Sequence, residues 1–543
     1  MNLKGLYLFL LLSLTVTVRV AEWQWSVQIH NVVSPETNGH PRAFLWIPED
    51  CKQVRAVVVG NHNMLEEGVL EHPGFRKKMA QLGIAEIWIT PGLNQVWEPG
   101  KDNAQAAFDE MMHSLATVSG YSELNYAPVI PMGHSAMATF PWNFAAQNNE
   151  RTLAILSIHG DAPSTNLTGY GRPNLDWSKL SIDGIPGLMV EGEYEWWEAR
   201  VQPALNYKKT HPKSCISFMC DAGRGHFDYS EQLVNYLALF IEKAAKYRLP
   251  ASSPLDQAVK LIPVNPELGW LADRWHVDSI PNARIAEYKL YQGNKEDAFW
   301  YFDKQMARLT EDIYAQQRGK KKQYMGYASN GDLIPFQSKH FYGYVPQFKP
   351  DSDGVTFHLS PVFTDSLHTK AINKHAISKT VISRICGPVE KLNDTTFRVQ
   401  FYRMGLNNPR RTADICMMAS NDGDKTYKSA VQQLLLKIPY RNKEGQEQKI
   451  SFDSIPDIKK ETKTIALNTS STSGLKVYFY VLEGPAKIED GKLELTAIPP
   501  RTKFPVKVTV VAWQHGRSIE PKVQTAEPVS RTFYIQKQQY NYK

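Results

Sequence analysis

Long apolar runs are missing from this chain of 543 residues once its first twenty are passed. A helix that crosses a bilayer needs about 20 consecutive apolar residues, so no membrane span is expected. Cysteine is scarce: Cys51, Cys215, Cys220, Cys386 and Cys416 are the five present. Their spacings fit no metal-binding pattern, and no metal site or cofactor is expected. The number is odd, which leaves at least one thiol unpaired within the chain; Cys386 and Cys416 could bridge within one β unit. There is no internal repeat and no low-complexity tract. A strong net charge is also absent. The 62 Lys and Arg against 55 Asp and Glu give +7, or +5 once Lys4 and Arg19 are set aside with a leader. So mild a balance predicts no nucleic-acid partner; it permits an acidic substrate without demanding one.

What the chain does contain is ordinary globular material, 42% hydrophobic and 22% charged, long enough for two to four domains. Residues 1–21 read as a secretory signal peptide. Lys4 gives the positive start, and Leu6 to Val18 form an apolar core too short to span a membrane. The expected location is secreted or periplasmic. Aromatics are frequent, with 13 Trp and 25 Tyr. Most serve packing, but Trp and Tyr also make platforms on which sugars stack.

From residue 22 to 250 strands alternate with helices. Trp23–Val33 and Arg42–Ile47 read as a hairpin, Val54–Gly60 as a buried strand, Pro73–Leu82 as a helix and Ile84–Thr90 as a strand. Asn103–Val118 is an amphipathic helix. Strands follow at Leu153–His159, Gly187–Glu191 and Ser214–Cys220, then a helix at Glu231–Tyr247. This order predicts a doubly wound parallel sheet. Residues 251–354 are irregular and aromatic, with one helix at Glu296–Gln317, and are expected to pack on the sheet domain. From Val355 short alternating segments between turns predict a β-sandwich over 355–449. A last β unit is expected over 450–543, where the run from Ser473 to Ile488 resembles bacterial immunoglobulin-like modules.

The chemistry is organised around Gly133-His134-Ser135-Ala136-Met137. An apolar run, Val129 to Met132, leads into the glycine, and small residues follow the serine. Strand, sharp turn and helix with a serine at the apex is the plan of a nucleophile elbow. It lifts the hydroxyl clear of the sheet and leaves the Ala136 N–H facing a developing oxyanion. Met137 fills a position that is usually small, Pro131 lies in the strand and Pro141 in the helix, so both elements need local accommodation. The pattern alone arises by chance in roughly one chain in six of this length. The acid and the histidine therefore decide, and both follow in order. Gly187-Leu-Met-Val-Glu-Gly-Glu-Tyr-Glu runs a strand into a carboxylate loop, with Glu195 as the expected acid and Glu191, Glu193 and Asp161 as competitors. Asp221-Ala-Gly-Arg-Gly-His226 places a histidine after the last strand as general base. A second oxyanion donor is expected just after the third strand, from the N–H of Asn63 or Met64, with His62 and Glu66 lining the pocket. Trp196, Trp197 and Arg200 follow the acid. With Trp97, Trp142, Tyr170 and Trp177 in loops at the same end, they predict an aromatic rim. Arg200 is the candidate for a uronate carboxylate.

On Gly133-His-Ser-Ala, Gly192-Glu-Tyr-Glu and Gly225-His226, residues 22–250 resemble the α/β-hydrolase superfamily. The leader and trailing β modules extend the resemblance to secreted bacterial esterases that remove acyl or methyl groups from plant polysaccharides. That resemblance implies a serine carbohydrate esterase working through an acyl-enzyme on a polysaccharide or oligosaccharide ester, pectin first. The alternatives are a serine peptidase or general carboxylesterase on the same fold, and a non-catalytic glycan-binding protein with a vestigial triad.

Overall fold

The computed structural model describes residues 22–169 and 172–537. The leader read at residues 1–21 lies outside them, as does Tyr170. Among the described residues no helix is long and apolar enough to cross a membrane.

Eight strands form one sheet: β1 (Trp25–Gln28), β2 (Arg42–Trp46), β3 (Ala56–Asn61), β4 (Ile84–Thr90), β5 (Val129–His134), β6 (Ile155–Ile158), β7 (Pro186–Gly192) and β8 (Cys215–Asp221). Their order is β1-β2-β4-β3-β5-β6-β7-β8. β2 runs antiparallel to both neighbours, and β3 to β8 are parallel throughout. This is the strand order of an α/β-hydrolase-like sheet. Runs such as Ala56-Val-Val-Val become strands because helices cover both faces and every side chain of β3 is buried. One face packs against a core with Phe75, Met79 and Phe240; the other against Trp97, Phe108 and Phe144.

The helices form where sequence supplies their ends. α1 (Glu66–Leu70) and α2 (Pro73–Leu82) follow β3; α2 has Pro at its first position and the His72 ring accepting the Gly74 N–H at 3.2 Å. α3 (Ala104–Ser119) follows β4. α4 (Phe140–Gln147) begins three residues after the elbow turn, so Pro141 falls in its first turn, where no N–H is needed. Pro131 is tolerated because it falls in a break of the ladder: Val129 bonds Arg151 and Leu153, and pairing with β6 resumes only at Met132. α5 (Glu198–Thr210), which carries Pro203 inside it, lacks the apolar periodicity that would mark it in sequence. α6 (Glu231–Arg248) is capped by Ser230, whose hydroxyl accepts the Leu233 N–H.

The segment that follows packs on the sheet. Trp270–Asp273 and Ala298–Tyr301 pair antiparallel, and α7 (Lys304–Gln317) starts from the Asp303 cap. The helix expected over Glu296–Gln317 therefore begins eight residues late. Ala298-Phe-Trp-Tyr is a buried strand instead, held to β8 by Ser217 Oγ on the Trp300 carbonyl (2.5 Å) and Tyr301 Oη on the Phe218 carbonyl (2.6 Å). The boundary expected at 354 also shifts. Tyr324–Ser329 pairs with Ser360–Thr364, so the first β unit already begins near residue 324. Its core holds Tyr327, Phe357, Ile382, Phe397 and Met417. The last unit is a four-stranded sheet and smaller sheets around Val508, Val510, Leu493 and Phe533. All five cysteines carry free thiols; Cys386 and Cys416 are in register on neighbouring strands.

Candidate active site

Ser135 stands at the C-terminal end of β5 with φ +50, a left-handed backbone that a serine adopts only when its surroundings impose it. The imposition is visible in two glycines. A Cβ on Gly133 would lie 2.0 Å from the Met137 carbonyl oxygen, and one on Gly160 would lie 1.9 Å from the Ala138 Cβ. The demand for small residues thus falls on positions 133, 138 and 160. Met137 departs from the usual pattern without cost, because its side chain points away from β5, toward Gly92 and the Asn61 amide. Ser135–Met137 form a single 3-10 turn. The Ala136 N–H at its start has no acceptor inside the turn.

The three expected reacting side chains meet at this end of the sheet. Ser135 Oγ lies 2.7 Å from His226 Nε2. His226 Nδ1 is hydrogen-bonded to Glu195 Oε2. Of the four carboxylates weighed in the sequence, Glu195 is the one that reaches His226. Glu191 is buried beneath Arg200, Glu193 is held by Lys428 (2.6 Å) and the Gly223 N–H (2.8 Å), and Asp161 binds Thr139 and the Thr168 hydroxyl.

A second histidine completes the cluster. His159, wholly buried at the end of β6, bonds through Nδ1 to Glu195 Oε1, which also accepts the Gly192 N–H at 2.8 Å. Burial works to raise the pKa of Glu195, but the two imidazoles outweigh it and hold the carboxyl well below its usual range. Burial lowers the pKa of His226, and the Glu195 charge only partly restores it. A neutral His226 is the form that can accept a proton from Ser135. His134, before the serine, is buried and bonds through Nε2 to the His226 carbonyl at 2.9 Å, which fixes the histidine loop.

Several expectations fail. The backbone N–H groups of Asn63 and Met64 do not face the serine; both donate to Glu66 Oε2 at 2.9 Å. Glu66 does not line a pocket either. It is buried, and its other oxygen accepts the His134 N–H at 2.7 Å, so it ties the loop after β3 to the elbow strand. Burial pushes its carboxyl up to about 7 in spite of these bonds. His62 is packed on Trp88 and bonded to Thr90 Oγ1, away from the site. What the loop offers toward the elbow is the Asn63 side-chain amide, 3.1 Å from the His134 carbonyl.

Arg200 is 6% exposed. Its Nη1 donates to the His159 carbonyl (3.0 Å), sits 3.5 Å from Glu191 and 3.7 Å from Glu195, and its guanidinium lies over the Trp197 ring. Nearly buried, with Nη1 engaged inside the protein, it is not placed to take a uronate. The aromatic rim shrinks likewise. Trp97 and Trp142 are core residues, Trp177 bonds Asn143, and Trp196 packs on Trp275 at 4.6 Å. Of these described tryptophans only Trp197 is exposed.

The first β unit reaches three loops of the site, those after β3, β7 and β8. Arg411 donates to the Asn63 carbonyl at 2.5 Å. Lys428 pairs with Glu193, and the Tyr194 hydroxyl donates to the Ser429 carbonyl, both on the acid loop. Arg224, on the histidine loop, pairs with Asp422 at 2.6 Å. Beneath them Glu67 of α1 is shared by Arg384 (2.8 Å) and Arg403 (2.9 Å).

His159, Glu195 and His226 are also the one group among the described residues spaced for a metal ion, with candidate ligand atoms within 4.8 Å of one another. A cation there would take the carboxylate that orients His226. The role of His159 was not foreseen in the sequence. Its signal was position, a histidine ending the strand next to the elbow strand, where parallel sheets gather their sites.

The class this structure defines is an α/β-hydrolase-like sheet with a serine, a histidine and a carboxylate converging at its C-terminal edge. No family model and no curated protein matches the chain. Solved structures similar in part include the S-formylglutathione hydrolase of Staphylococcus aureus (12% identity, TM-score 0.28, 41% of this chain and 98% of that one). The fluorophosphonate-binding serine hydrolase F of Staphylococcus aureus is 11% identical (TM-score 0.29, 41% and 99%). A Pyrobaculum calidifontis esterase is 14% identical (TM-score 0.28, 41% and 84%). The fold assignment rests on the strand order described above.

Proposed function

We propose that this protein is a serine hydrolase of carboxylic esters, exported from the cytoplasm, acting on esterified sugars of a polysaccharide. The observation that carries the esterase reading is the hydrogen-bonded series Ser135–His226–Glu195 at the elbow.

His226 Nε2 takes the Ser135 proton as Oγ attacks the ester carbonyl carbon. The carbonyl oxygen becomes an oxyanion held by the Ala136 N–H and the Asn63 side-chain amide. The bond to the leaving oxygen then breaks, and His226 returns the proton to the departing alcohol. Water, activated by the same imidazole, releases the acid from Ser135 and restores the hydroxyl. Glu195 holds His226 in the tautomer that presents Nε2 to the serine, and its charge stabilises the imidazolium that forms.

The carbohydrate part rests on the leader composition and the trailing β units, the last of them an immunoglobulin-like module in this reading. With Arg200 engaged internally, the argument for pectin methyl esters loses its anchor, and acetyl esters stand at least level with them. The test is incubation of the full chain with methyl-esterified and with acetylated pectin, assaying methanol and acetate, beside Ser135→Ala. Release of either product by the wild type and its loss in the mutant supports the reading. Equal release by both proteins removes Ser135 as nucleophile.

A further inference from the structure

The turn that comes nearest the proposed reacting histidine from outside the hydrolase sheet belongs to the first β unit. Residues 337–343 close on themselves through the Gln337 N–H on the Gly343 carbonyl (2.7 Å) and the Gly343 N–H on the His340 carbonyl (2.9 Å). Gln433 and Gln432 hold the tip, donating to the carbonyls of Phe341 (3.2 Å) and Tyr342 (3.1 Å). The Tyr342 ring stacks on Phe227, the residue after His226, at 5.4 Å, and its hydroxyl contacts Met64 Sδ at 3.7 Å. Its neighbour Phe341 lies edge-on to Phe227 at 5.2 Å and 6.3 Å from the His226 ring, yet is 69% exposed. A large apolar ring is thus pinned from below, turned to solvent and set beside the proton carrier.

Resting on the esterase reading, we propose that Phe341 forms a leaving-group subsite, taking the alcohol half of the ester when that alcohol is a ring with a flat apolar face, such as a pyranose. The proton that His226 Nε2 gives up goes to the leaving oxygen, so that oxygen must come within hydrogen-bond reach of Nε2. The carbon skeleton attached to it then lies beside the imidazole. Phe341, 6.3 Å from the His226 ring, stands within reach of a skeleton held beside that imidazole, and the apolar face of a ring laid against it leaves water. Aliphatic alcohols as small as methanol or ethanol leave the platform uncovered. The subsite therefore favours esters in which the sugar is the alcohol, as in O-acetyl sugars, over those in which it is the acid.

The experiment compares three acetates with the same acyl group, cyclohexyl acetate, an O-acetylated methyl pyranoside and ethyl acetate, on the full chain. In Phe341→Ala the ratio of kcat/KM for each ring ester to that for ethyl acetate falls about tenfold, the loss of one buried apolar contact; in Phe341→Tyr the ratio is kept. Ratios that do not change in Phe341→Ala, or that fall equally in Phe341→Tyr, overturn the subsite while leaving the esterase intact. A wild type that turns over none of the three, and whose Ser135 takes no fluorophosphonate label, overturns the esterase reading itself and the subsite with it.

Discussion

His159 and Glu195 are joined through Nδ1 and Oε1, on the carboxylate oxygen that His226 does not use. The carboxylate that steers the base is therefore shared. Around His159 stand His134 (ring centroids 5.7 Å apart) and Arg200 on its carbonyl, while Asp221 and Asp228 act on it from the histidine loop. Burial lowers the pKa of His159, and the Glu195 charge more than reverses this. Burial lowers that of His226, and the charges of His159 and Arg200 add to the lowering.

His226 must be neutral to accept the serine proton, and burial holds its pKa below the ordinary histidine range, so the acid limb of kcat/KM lies at lower pH than a free imidazole would give. Replacing His159 by Gln removes one claim on Glu195 and gives His226 more of its charge. The acid limb in His159→Gln moves to higher pH. A pH–rate profile of both proteins checks this; a uniform drop with an unmoved limb would mean that His159 only fills space.

The oxyanion site gives a second expectation. The Asn63 amide is assigned as donor through the N–H it does not give to the His134 carbonyl, because the backbone donors beside it are committed to Glu66. Asn63→Ala then lowers kcat by roughly 10²–10³ with little change in KM, as loss of a donor used only in the transition state does. Glu66→Ala behaves differently. It strips the acceptor from three N–H groups, of Asn63, Met64 and His134, and costs about 3 kcal/mol of stability at least. Denaturant titration beside steady-state kinetics separates the two.

Much of this was legible in the sequence, and for physical reasons. Pro73–Leu82 and Ile84–Thr90 are found where periodicity put them, because burial on a sheet face is written into the side-chain pattern. The meeting of Ser135, Glu195 and His226 followed from chain order, since a parallel sheet delivers every strand end to one edge. What could not be read was the use of groups that look functional but are consumed internally. Arg200 and Glu66 have the right chemistry, yet buried partners claim them. Phe341 lies more than a hundred residues from the histidine loop and Arg411 more than three hundred from Asn63, and no local pattern announces such contacts.

The β unit is expected to be inseparable from the sheet. Glu67 is nearly buried between Arg384 and Arg403; its removal takes the carboxylate from Arg384 while Arg403 keeps Glu71, a loss of about 3 kcal/mol, the low end for a broken buried ion pair. Glu67→Ala lowers the melting temperature of the whole chain. A chain ending at residue 318 loses the Arg411 and Lys428 contacts to the loops of the site, and with them turnover. Thermal unfolding followed by calorimetry and by ester hydrolysis should give one transition for both signals; a separate, later melting of the sheet would show that it holds its site alone.

The tightest packing in the site makes the last expectation. Gly133 and Gly160 flank the elbow, and at each an added methyl group meets an atom that cannot easily withdraw: the Met137 carbonyl oxygen at 2.0 Å and the Ala138 Cβ at 1.9 Å. Side chains at the end of a helix can rotate away, but a backbone carbonyl moves only with its turn. Gly133→Ala should therefore displace Ser135–Met137 as a unit, carrying Ser135 Oγ out of its 2.7 Å contact with His226, at a stability cost of about 3 kcal/mol. Gly160→Ala pushes on Ala138 instead, and the double variant Gly160→Ala/Ala138→Gly gives the methyl group room. Its recovery of fluorophosphonate labelling at Ser135, absent in Gly160→Ala alone, would trace the strain on the serine to that one contact; failure of the pair to recover would place the damage elsewhere in β6.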